Sequence, residues 1–426
     1  MPVTLAVNPN PSPNPSPFAQ GIMDRQRSVL RLSETDVPKR GGGPALHVLT
    51  LTPFFPSDQN EVSGCFIAEP IEQLKRLGVD CSVIGVSPIY HPRRQPSSSA
   101  AADWVRYPQV PGNLGLSSAG KLLYARLRGR IRKMHSAKPI DLIHAHSALP
   151  CGHAAALLSS RLNIPFVITI HGLDVFNTFF MNGIPVVWRR KVSVEVYRAA
   201  RTVICISSKV QEILRTGMRA ETRSAIVYNG VNPNLFSPDS PAAGPFGPEI
   251  LIVGNLLRSK GHELVLRALG NLRASFPQIR CRIIGEGPDR AQFELLVRDL
   301  GIEQQVQFVG RRSRAEVAVA MRRCSVFVLP SWNEGLGCVY LEAMSCGKPV
   351  IGCRGQGIDE VIEHGKNGWL IPADGLEELV QGLAALLGSP EVCARIGTAA
   401  RQTILEKFTL SHQAEHLSRI YGQAID

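Results

Sequence analysis

The sequence predicts an α/β fold with two Rossmann-like domains, and three observations support this prediction. Short apolar runs alternate with helix-like stretches from Leu46 onwards, which is the pattern of βαβ units in a parallel sheet. This alternation stops in residues 232–249, where proline, glycine and small polar residues are concentrated, and then starts again. A chain of 426 residues is also long for a single domain, so two hydrophobic cores are expected.

The composition divides the chain into five segments. Proline occurs at every second position from Pro9 to Pro17, with Asn and Ser between, and we expect residues 1–44 to be a disordered tail because so little apolar surface is available for burial. Residues 45–236 and 250–408 are predicted to be the two Rossmann-like domains, joined by a linker at 237–249. Residues 409–426 have apolar side chains at helical spacing and predict one final helix.

Strands are expected at the short apolar runs of each domain, because the strands of a parallel sheet are buried on both faces. In the first domain these runs are, in order, ALHVLTLTPF, CSVIGVSP, DLIHAHS, PFVITIHG and TVICISS. In the second domain they are ILIVGNL, CRIIGEG, VQFVG, SVFVLP and PVIG. Helices are expected between them, for example at IAEPIEQLKRLG and FELLVRDLG.

Apolar runs and cysteines exclude several classes of protein. The longest apolar runs are the length of a strand, so no segment is expected to cross a bilayer. The ten cysteines never occur with C-x-x-C spacing, so neither a zinc site nor a disulfide framework is expected. We therefore place the protein in a reducing cytoplasm.

Two acids in the second domain, Glu334 and Glu342, stand eight residues apart. At that spacing we expect both on one face of a helix, about two turns apart, where they address one ligand. Gly335 and Gly337 follow the first acid and allow a ligand to approach backbone amides at a helix N-terminus. Taken alone, the same pattern also describes a turn that leads into an ordinary helix.

The surrounding string, PSWNEGLG followed by EAMSCGKPVIG, resembles the donor-site segment of the family 4 retaining glycosyltransferases, which have the GT-B fold. The resemblance covers nearly everything from Leu46 to Tyr421. It implies two Rossmann-like domains that face a central cleft, with the last helix crossing back to the first domain. It also implies a nucleotide-sugar donor.

The resemblance assigns roles to the acidic segment. Glu342 is expected to hold the ribose hydroxyls and Glu334 the donor sugar. Backbone amides near Leu336 and Gly337 are expected to face the sugar and the diphosphate, beside Gly335.

A second string, VGNLLRSKG, resembles the family's V-G-x-L-x-x-x-K-G motif. The resemblance implies that Lys260 neutralises the nucleotide diphosphate, whose charge grows as the glycosidic bond breaks. The family often has arginine where this chain has Asn255. We expect Arg258 to supply a second cation there.

Two further loops of the second domain resemble donor-site loops of the family. Gly285, in GEGP, follows one expected strand, and Gly310 with Arg311 follows another beside the nucleobase. A turn glycine and a surface arginine describe this last pair equally well.

In the first domain, the string HGLD resembles the family's H-G-x-D motif and makes His171 the main candidate for the catalytic site, with Asp174 nearby. Of His144 and His146 in DLIHAHS, we expect only one to face the cleft. We favour His146, because it is nearer the carboxyl end of its strand. Gly64, in TPFFPSDQNEVSGCF, is expected in a loop near the diphosphate and the acceptor.

No cofactor and no metal are expected. A D-x-D string, typical of glycosyltransferases that bind the diphosphate through a divalent metal, is missing from the sequence. The positive charge is therefore expected from Lys260, arginine and helix N-termini.

The net charge of +12 lies in the first half. Residues 45–236 contain 22 Lys and Arg against 11 Asp and Glu, whereas 237–426 contain 20 against 21. The stretch 121–138 has seven basic residues and no acid, with an apolar stripe that we expect to be buried on the sheet. The remaining charge suggests reversible association with an anionic membrane surface, at the inner face of the plasma membrane.

These observations predict a metal-independent, retaining glycosyltransferase that acts on a glycan or lipid-linked acceptor. The forms of TPFFPSDQNEVSGCF and RGQGIDEVIEHGKNGWLI look closest to enzymes of bacterial teichuronic acid and exopolysaccharide assembly. Two alternatives stay open, namely a nucleotide-sugar epimerase on the same double-Rossmann plan and a non-enzymatic basic binding protein. Nucleic-acid binding is not expected, because the basic stretch lacks interleaved aromatics and any recognisable binding module.

Overall fold

A computed structural model describes residues 45–58, 60–92, 94–96, 101–111, 115–179, 184–218, 222–238 and 248–426. The expected disordered tail, residues 1–44, lies outside these described residues. Most of the expected linker also lies outside them.

The first half of the chain forms a parallel sheet of seven strands, and the expected strand runs fall on five of them. Its spatial order is β3-β2-β1-β4-β5-β6-β7. The strands are β1 (His47–Thr52), β2 (Asp80–Pro88), β3 (Asp103–Tyr107), β4 (Leu142–His146), β5 (Phe166–Ile170), β6 (Thr202–Cys205) and β7 (Ser224–Ile226).

Helices connect these strands and cover the sheet. They are α1 (Cys65–Arg76), α2 (Leu116–Ala137), α3 (His153–Leu162), α4 (Leu173–Phe179), α5 (Ile184–Ala199) and α6 (Ser208–Met218). On α2 the apolar stripe Leu123, Leu127 and Ile131 is fully buried, because it packs on the sheet. The basic side chains of this helix face outwards.

The second half repeats the plan with a parallel sheet of six strands in the order β10-β9-β8-β11-β12-β13. The strands are β8 (Glu249–Val253), β9 (Arg280–Ile284), β10 (Val306–Gly310), β11 (Val326–Val328), β12 (Val350–Cys353) and β13 (Trp369–Ile371). The helices are α7 (His262–Leu272), α8 (Arg290–Asp299), α9 (Arg314–Arg323), α10 (Cys338–Ser345), α11 (Leu376–Gly388), α12 (Pro390–Lys407) and α13 (Leu410–Ile425).

The last helix, α13, returns to the first half. Thr409 caps its N-terminus by accepting a hydrogen bond from the backbone N–H of His412. Its apolar face packs on α1, β4 and β5, and Leu417 and Tyr421 are buried there. The chain therefore passes between the two halves twice, once between β7 and β8 and once between α12 and α13.

Three short strands were not expected from the sequence, namely β3, β7 and β13. β3 is an edge strand that contains Asp103 and Arg106, so its sequence lacks an apolar run. β7 and β13 have three residues each, which is too short for a periodic signal.

Both sheets reverse their strand order at one point, and this topology determines where a ligand binds. In the first sheet the reversal lies between β1 and β4, and in the second between β8 and β11. Ligands of such sheets bind at the carboxyl ends of the strands on either side of the reversal. Gly64, Lys260 and Glu334 lie between β1, β8 and β11 and the helices that follow them, and His146 is the last residue of β4.

Candidate active site

The loop that carries Lys260 is attached to the loop that carries Glu334. Gly261 has φ of 74°, and a Cβ atom there would lie 2.2 Å from the carbonyl oxygen of Pro330. The backbone N–H of Trp332 donates to the carbonyl of Ser259 at 2.9 Å. Only glycine fits at position 261, because both the backbone conformation and the contact exclude a side chain.

Lys260 and Glu334 form an ion pair at this junction. Their side chains are 24% and 14% exposed, so the pair is reachable from solvent but largely shielded. The hydroxyl of Ser331 donates to Oε2 of Glu334 at 3.2 Å, and the backbone N–H of Glu334 donates to Oε1 of Gln356 at 3.1 Å. The structure thus places the expected cation and the first expected acid together.

The expectation that Glu334 and Glu342 share one helix face is wrong. Helix α10 begins at Cys338, so Glu342 lies on the helix and Glu334 in the loop before it. Gly337 has φ of 78°, a left-handed conformation that separates the loop from the helix. Glu334 therefore lies outside the helix, where its side chain contacts Lys260.

Glu342 is 5% exposed and pairs with Arg314, whose Nη1 donates to its Oε1 at 2.6 Å. Burial raises the pKa of the Glu342 carboxyl, and the positive charge of Arg314 opposes that rise. Arg314 was not expected from the sequence. It is the first residue of α9, where an arginine after a capping Ser313 has no distinctive signature.

The structure brings the H-G-x-D segment of the first half against the acidic loop of the second. A Cβ atom on Gly335 would lie 3.1 Å from the carbonyl oxygen of His171, and one on Gly172 would lie 3.1 Å from Cα of Gly335. The hydroxyl of Ser207 also donates to the carbonyl of Gly335 at 2.5 Å. His171 and Glu334 therefore belong to loops that meet between the two sheets.

Three histidines form a cluster behind this contact, in which His144 and His146 are buried and His171 is half-buried. His144 and His146 lie on the same face of β4, because residues two apart on a strand share a face, and that only one of them faces the cleft stays a prediction. Their rings lie 4.3 Å apart, and Nδ1 of His146 lies 3.0 Å from Nε2 of His171. His144 contacts the hydroxyls of Tyr421 and Thr169, each at 2.7 Å.

A small cavity of about 20 Å³ lies beside these rings, which is room for about one water. Its lining includes the three histidines together with Asn229, Gln413 and Tyr421. The C-terminal helix α13 therefore closes the space behind the histidine cluster.

Burial keeps the histidine cluster neutral. It lowers the pKa of His144 and of His171 to about 3, and it lowers that of His146 well below its usual range. Burial also raises the pKa of Asp174 to about 6, although its Oδ1 accepts hydrogen bonds from the backbone N–H groups of His171 and Val175. Asp174 therefore positions the backbone of His171.

The remaining candidates occupy loops around these groups. Gly285 has φ of 146°, and a Cβ there would lie 1.9 Å from the carbonyl of Gly254. Arg258 points to Gln292, with Nε donating to Oε1 at 3.2 Å, and is exposed, as is Asn255.

Two of the other candidate loops are shaped by left-handed glycines. Gly310 has φ of 75°, and the next residue, Arg311, pairs with Glu286 at 3.8 Å. Gly64 has φ of 73° and lies against the backbone of Phe54, where a Cβ would come within 2.4 Å. Leu336 is fully buried, so only its backbone is able to meet a ligand.

The described part of the chain has no helix long and apolar enough to span a membrane. Within the same residues there is no cluster of three or more His, Cys, Asp or Glu side chains arranged to hold a metal ion.

Comparison with known proteins identifies the class. Residues 66–235 match the model of Glycosyltransferase Family 4, and residues 241–403 match that of Glycosyl transferases group 1. An uncharacterized glycosyltransferase of Methanocaldococcus jannaschii is 30% identical over 287 residues, which cover 67% of this chain and 76% of that protein. A D-inositol 3-phosphate glycosyltransferase of Stackebrandtia nassauensis is 29% identical over 305 residues, covering 67% and 68%.

Solved structures share the architecture. The sucrose-phosphate synthase of Thermosynechococcus elongatus superposes with a TM-score of 0.71 at 21% identity, covering 88% of this chain and 98% of that one. HepE of Anabaena, in complex with UDP and glucose, has a TM-score of 0.69 at 21% identity, covering 89% and 100%. The two Rossmann-like halves thus define the GT-B class of fold, which confirms the expectation from the sequence. The chain belongs to the glycosyltransferases of family 4.

The histidine cluster predicts how stability depends on pH. The pKa of His144 is about 3 in the folded protein and near 6.5 in the unfolded chain, so unfolding takes up a proton between these values. The free energy of unfolding should therefore fall as the pH drops below about 6.5. In His144→Gln this slope should be smaller by up to ~1.4 kcal/mol per pH unit.

Urea unfolding of both proteins at several values between pH 4 and 7 measures the difference in slope. The exposed His91 supplies the control, because His91→Gln should leave the wild-type slope unchanged. Equal slopes for wild type and His144→Gln would show that folding does not lower the pKa of His144.

Proposed function

We propose that this glycosyltransferase moves a sugar, with retention of anomeric configuration, from a UDP- or GDP-linked donor to a glycan or lipid-linked acceptor. The observation that supports this best is the Lys260–Glu334 ion pair at the strand-order reversal of the second sheet, against the His171 segment of the first. The pair offers a cation for a diphosphate and a carboxylate for sugar hydroxyls within one small region.

The diphosphate is the anion that Lys260 would receive. In the structure the ammonium group is neutralised by Glu334, and an incoming diphosphate carries more charge than a single carboxylate. Binding of the donor then releases Glu334 to accept hydrogen bonds from the sugar, with the helix N-terminus at Cys338 nearby. Lys260 stabilises the charge that accumulates on the diphosphate as the bond to the sugar breaks.

Retention is expected by front-side displacement, because each acid of the site is assigned another role. Glu334 bonds Lys260 and, with the donor bound, the sugar hydroxyls, while Glu342 bonds Arg314 and Oδ1 of Asp174 accepts hydrogen bonds from backbone N–H groups. The acceptor hydroxyl attacks the anomeric carbon on the face from which the phosphate leaves. The carbon–oxygen bond to the phosphate breaks, the new glycosidic bond forms, and the hydroxyl proton passes to the leaving phosphate oxygen.

His171 faces this step as a neutral ring, since burial lowers its pKa to about 3. Its Nε2 is occupied by His146, and Nδ1 has no hydrogen-bond partner among the described residues. That nitrogen is a candidate for a donor-sugar hydroxyl. The charge on the diphosphate is met by Lys260 without a metal, so added chelator should leave the activity intact.

The acceptor is proposed to be reached at the cytoplasmic face of a membrane, in the assembly of exopolysaccharide or another surface glycan. Exposed cations on α2 supply the attraction. Arg130 pairs with Asp103, whereas Arg126, Arg132 and Lys133 point outwards. Helix α5 packs against α2 and exposes apolar side chains beside it, namely Val187 (65%) and Trp188 (54%).

Incubation with UDP- and GDP-sugars and a candidate acceptor tests the function directly. NMR of the product should show the anomeric configuration of the donor. Inverted product would overturn the retaining mechanism, and consumption of the donor without any acceptor would favour the epimerase alternative.

Replacing Lys260 tests the diphosphate role. Lys260→Ala should lower turnover at saturating donor by about 10² or more, because the leaving group loses its fixed cation. Steady-state assays of released nucleoside diphosphate measure this. Lys366→Ala, at an exposed lysine paired with Glu363, is the control. Near-normal turnover of Lys260→Ala would contradict the assignment.

Charge removal on α2 tests the membrane proposal. The triple variant Arg126→Gln, Arg132→Gln, Lys133→Gln should bind vesicles rich in anionic lipid about 10²-fold more weakly at low salt, since each surface cation contributes about 1 kcal/mol. Co-sedimentation with such vesicles measures binding. A matched control removes three exposed cations of the second half, Arg298, Arg395 and Lys407. Equal binding by both triple variants, or none by wild type, would refute the proposal.

A further inference from the structure

Arg314 contacts a carboxylate from each half of the chain. Its Nη1 donates to Oε1 of Glu342 on α10 at 2.6 Å. Its Nη2 donates to Oε2 of Glu69 on α1 at 3.2 Å, and its Nε lies 2.9 Å from Oε1 of the same residue. Glu69 precedes Arg314 by 245 residues and belongs to the first sheet's layer of helices. The guanidinium thus joins the two halves beside the donor site.

The three charged groups are shielded from water. The side chains of Arg314, Glu69 and Glu342 are 19%, 24% and 6% exposed. The Sγ atom of Cys65 accepts a further hydrogen bond from Nη1 at 3.3 Å, and the guanidinium carbon lies 5.0 Å from the ring centroid of Phe236. A group of this kind differs from a surface ion pair, because removal of one member leaves an uncompensated buried charge.

We propose that Arg314 is a positioning residue of the donor site, which keeps Glu342 ionised and oriented for the ribose hydroxyls while Glu69 competes for the same guanidinium. This inference rests on the proposed function, in which Glu342 receives the ribose of a nucleoside diphosphate. It adds a residue of the first half, Glu69, to the control of a nucleotide contact in the second half.

The geometry leaves one oxygen of Glu342 for a ligand. Arg314 occupies Oε1, and the hydrogen bonds of the described residues do not use Oε2. An ionised carboxylate accepts stronger hydrogen bonds from hydroxyls than a protonated one does. Arg314 therefore supports ribose recognition only while it keeps the proton off Glu342.

Loss of Arg314 should disfavour the ionised form of Glu342, whereas loss of Glu69 should not. Without Arg314, two buried carboxyl groups face one another, and burial already raises the pKa of each. Glu342 should then take up a proton and release it only at higher pH. Without the charge of Glu69, the guanidinium of Arg314 pairs with Glu342 alone, and the ionised form of Glu342 should be favoured.

The experiment compares the binding of UDP and GDP with that of their 2′,3′-dideoxy analogues, by calorimetry between pH 6 and 9. For the nucleotide that binds, wild type should prefer the ribose form at every pH. Arg314→Gln should lose about tenfold of that preference at pH 6 and regain it as the pH rises, because Glu342 must first lose its proton. Arg314→Lys should restore part of it, and Glu69→Gln should retain it in full.

Two results would overturn the inference alone. One is a folded Arg314→Gln protein that keeps the wild-type preference across the pH range. The other, which holds even where Arg314→Gln fails to fold, is a Glu69→Gln protein that loses the preference. Wild-type protein that binds neither UDP nor GDP would instead overturn the proposed function, and this inference with it.

Discussion

The close approach of backbone at three glycines is the constraint on which the site depends. Gly261 brings the Lys260 loop against Pro330, while Gly172 and Gly335 bring the two halves together beside His171. A Cβ atom at position 261 would clash with the carbonyl oxygen of Pro330 at 2.2 Å, and one at position 172 or 335 would press on the facing backbone at 3.1 Å. The packing of these backbone segments sets the positions of Lys260, Glu334 and His171 relative to one another.

Charged groups inside this frame contact groups of the opposite charge. Lys260 pairs with Glu334, Arg314 bonds both Glu342 and Glu69, and burial keeps the histidine cluster without charge. In the proposed complex the diphosphate of the donor pairs with Lys260 and the ribose bonds Glu342, so no buried charge is left without a partner. The C-terminal helix contributes through Tyr421, which fixes His144 behind the cluster.

Much of the fold could be predicted from the sequence, because buried parallel strands read as continuous apolar runs and their carboxyl ends are where loops with Lys260 and His171 must lie. The geometry within the loops could not. A helical spacing suggested one face for Glu334 and Glu342, but the left-handed Gly337 places the first acid before the helix. Arg314 meets Glu69 only through the tertiary fold, and no local pattern joins residues 245 positions apart.

The central claim is that Lys260 and its surrounding loops bind a nucleoside diphosphate. Thermal unfolding of the wild-type protein with UDP, GDP and the corresponding monophosphates at equal concentration tests it most directly, since the ligand that binds the folded state more tightly raises Tm further. One diphosphate should raise Tm clearly more than its own monophosphate. Equal shifts for diphosphate and monophosphate, or no shift with any nucleotide, would contradict the account.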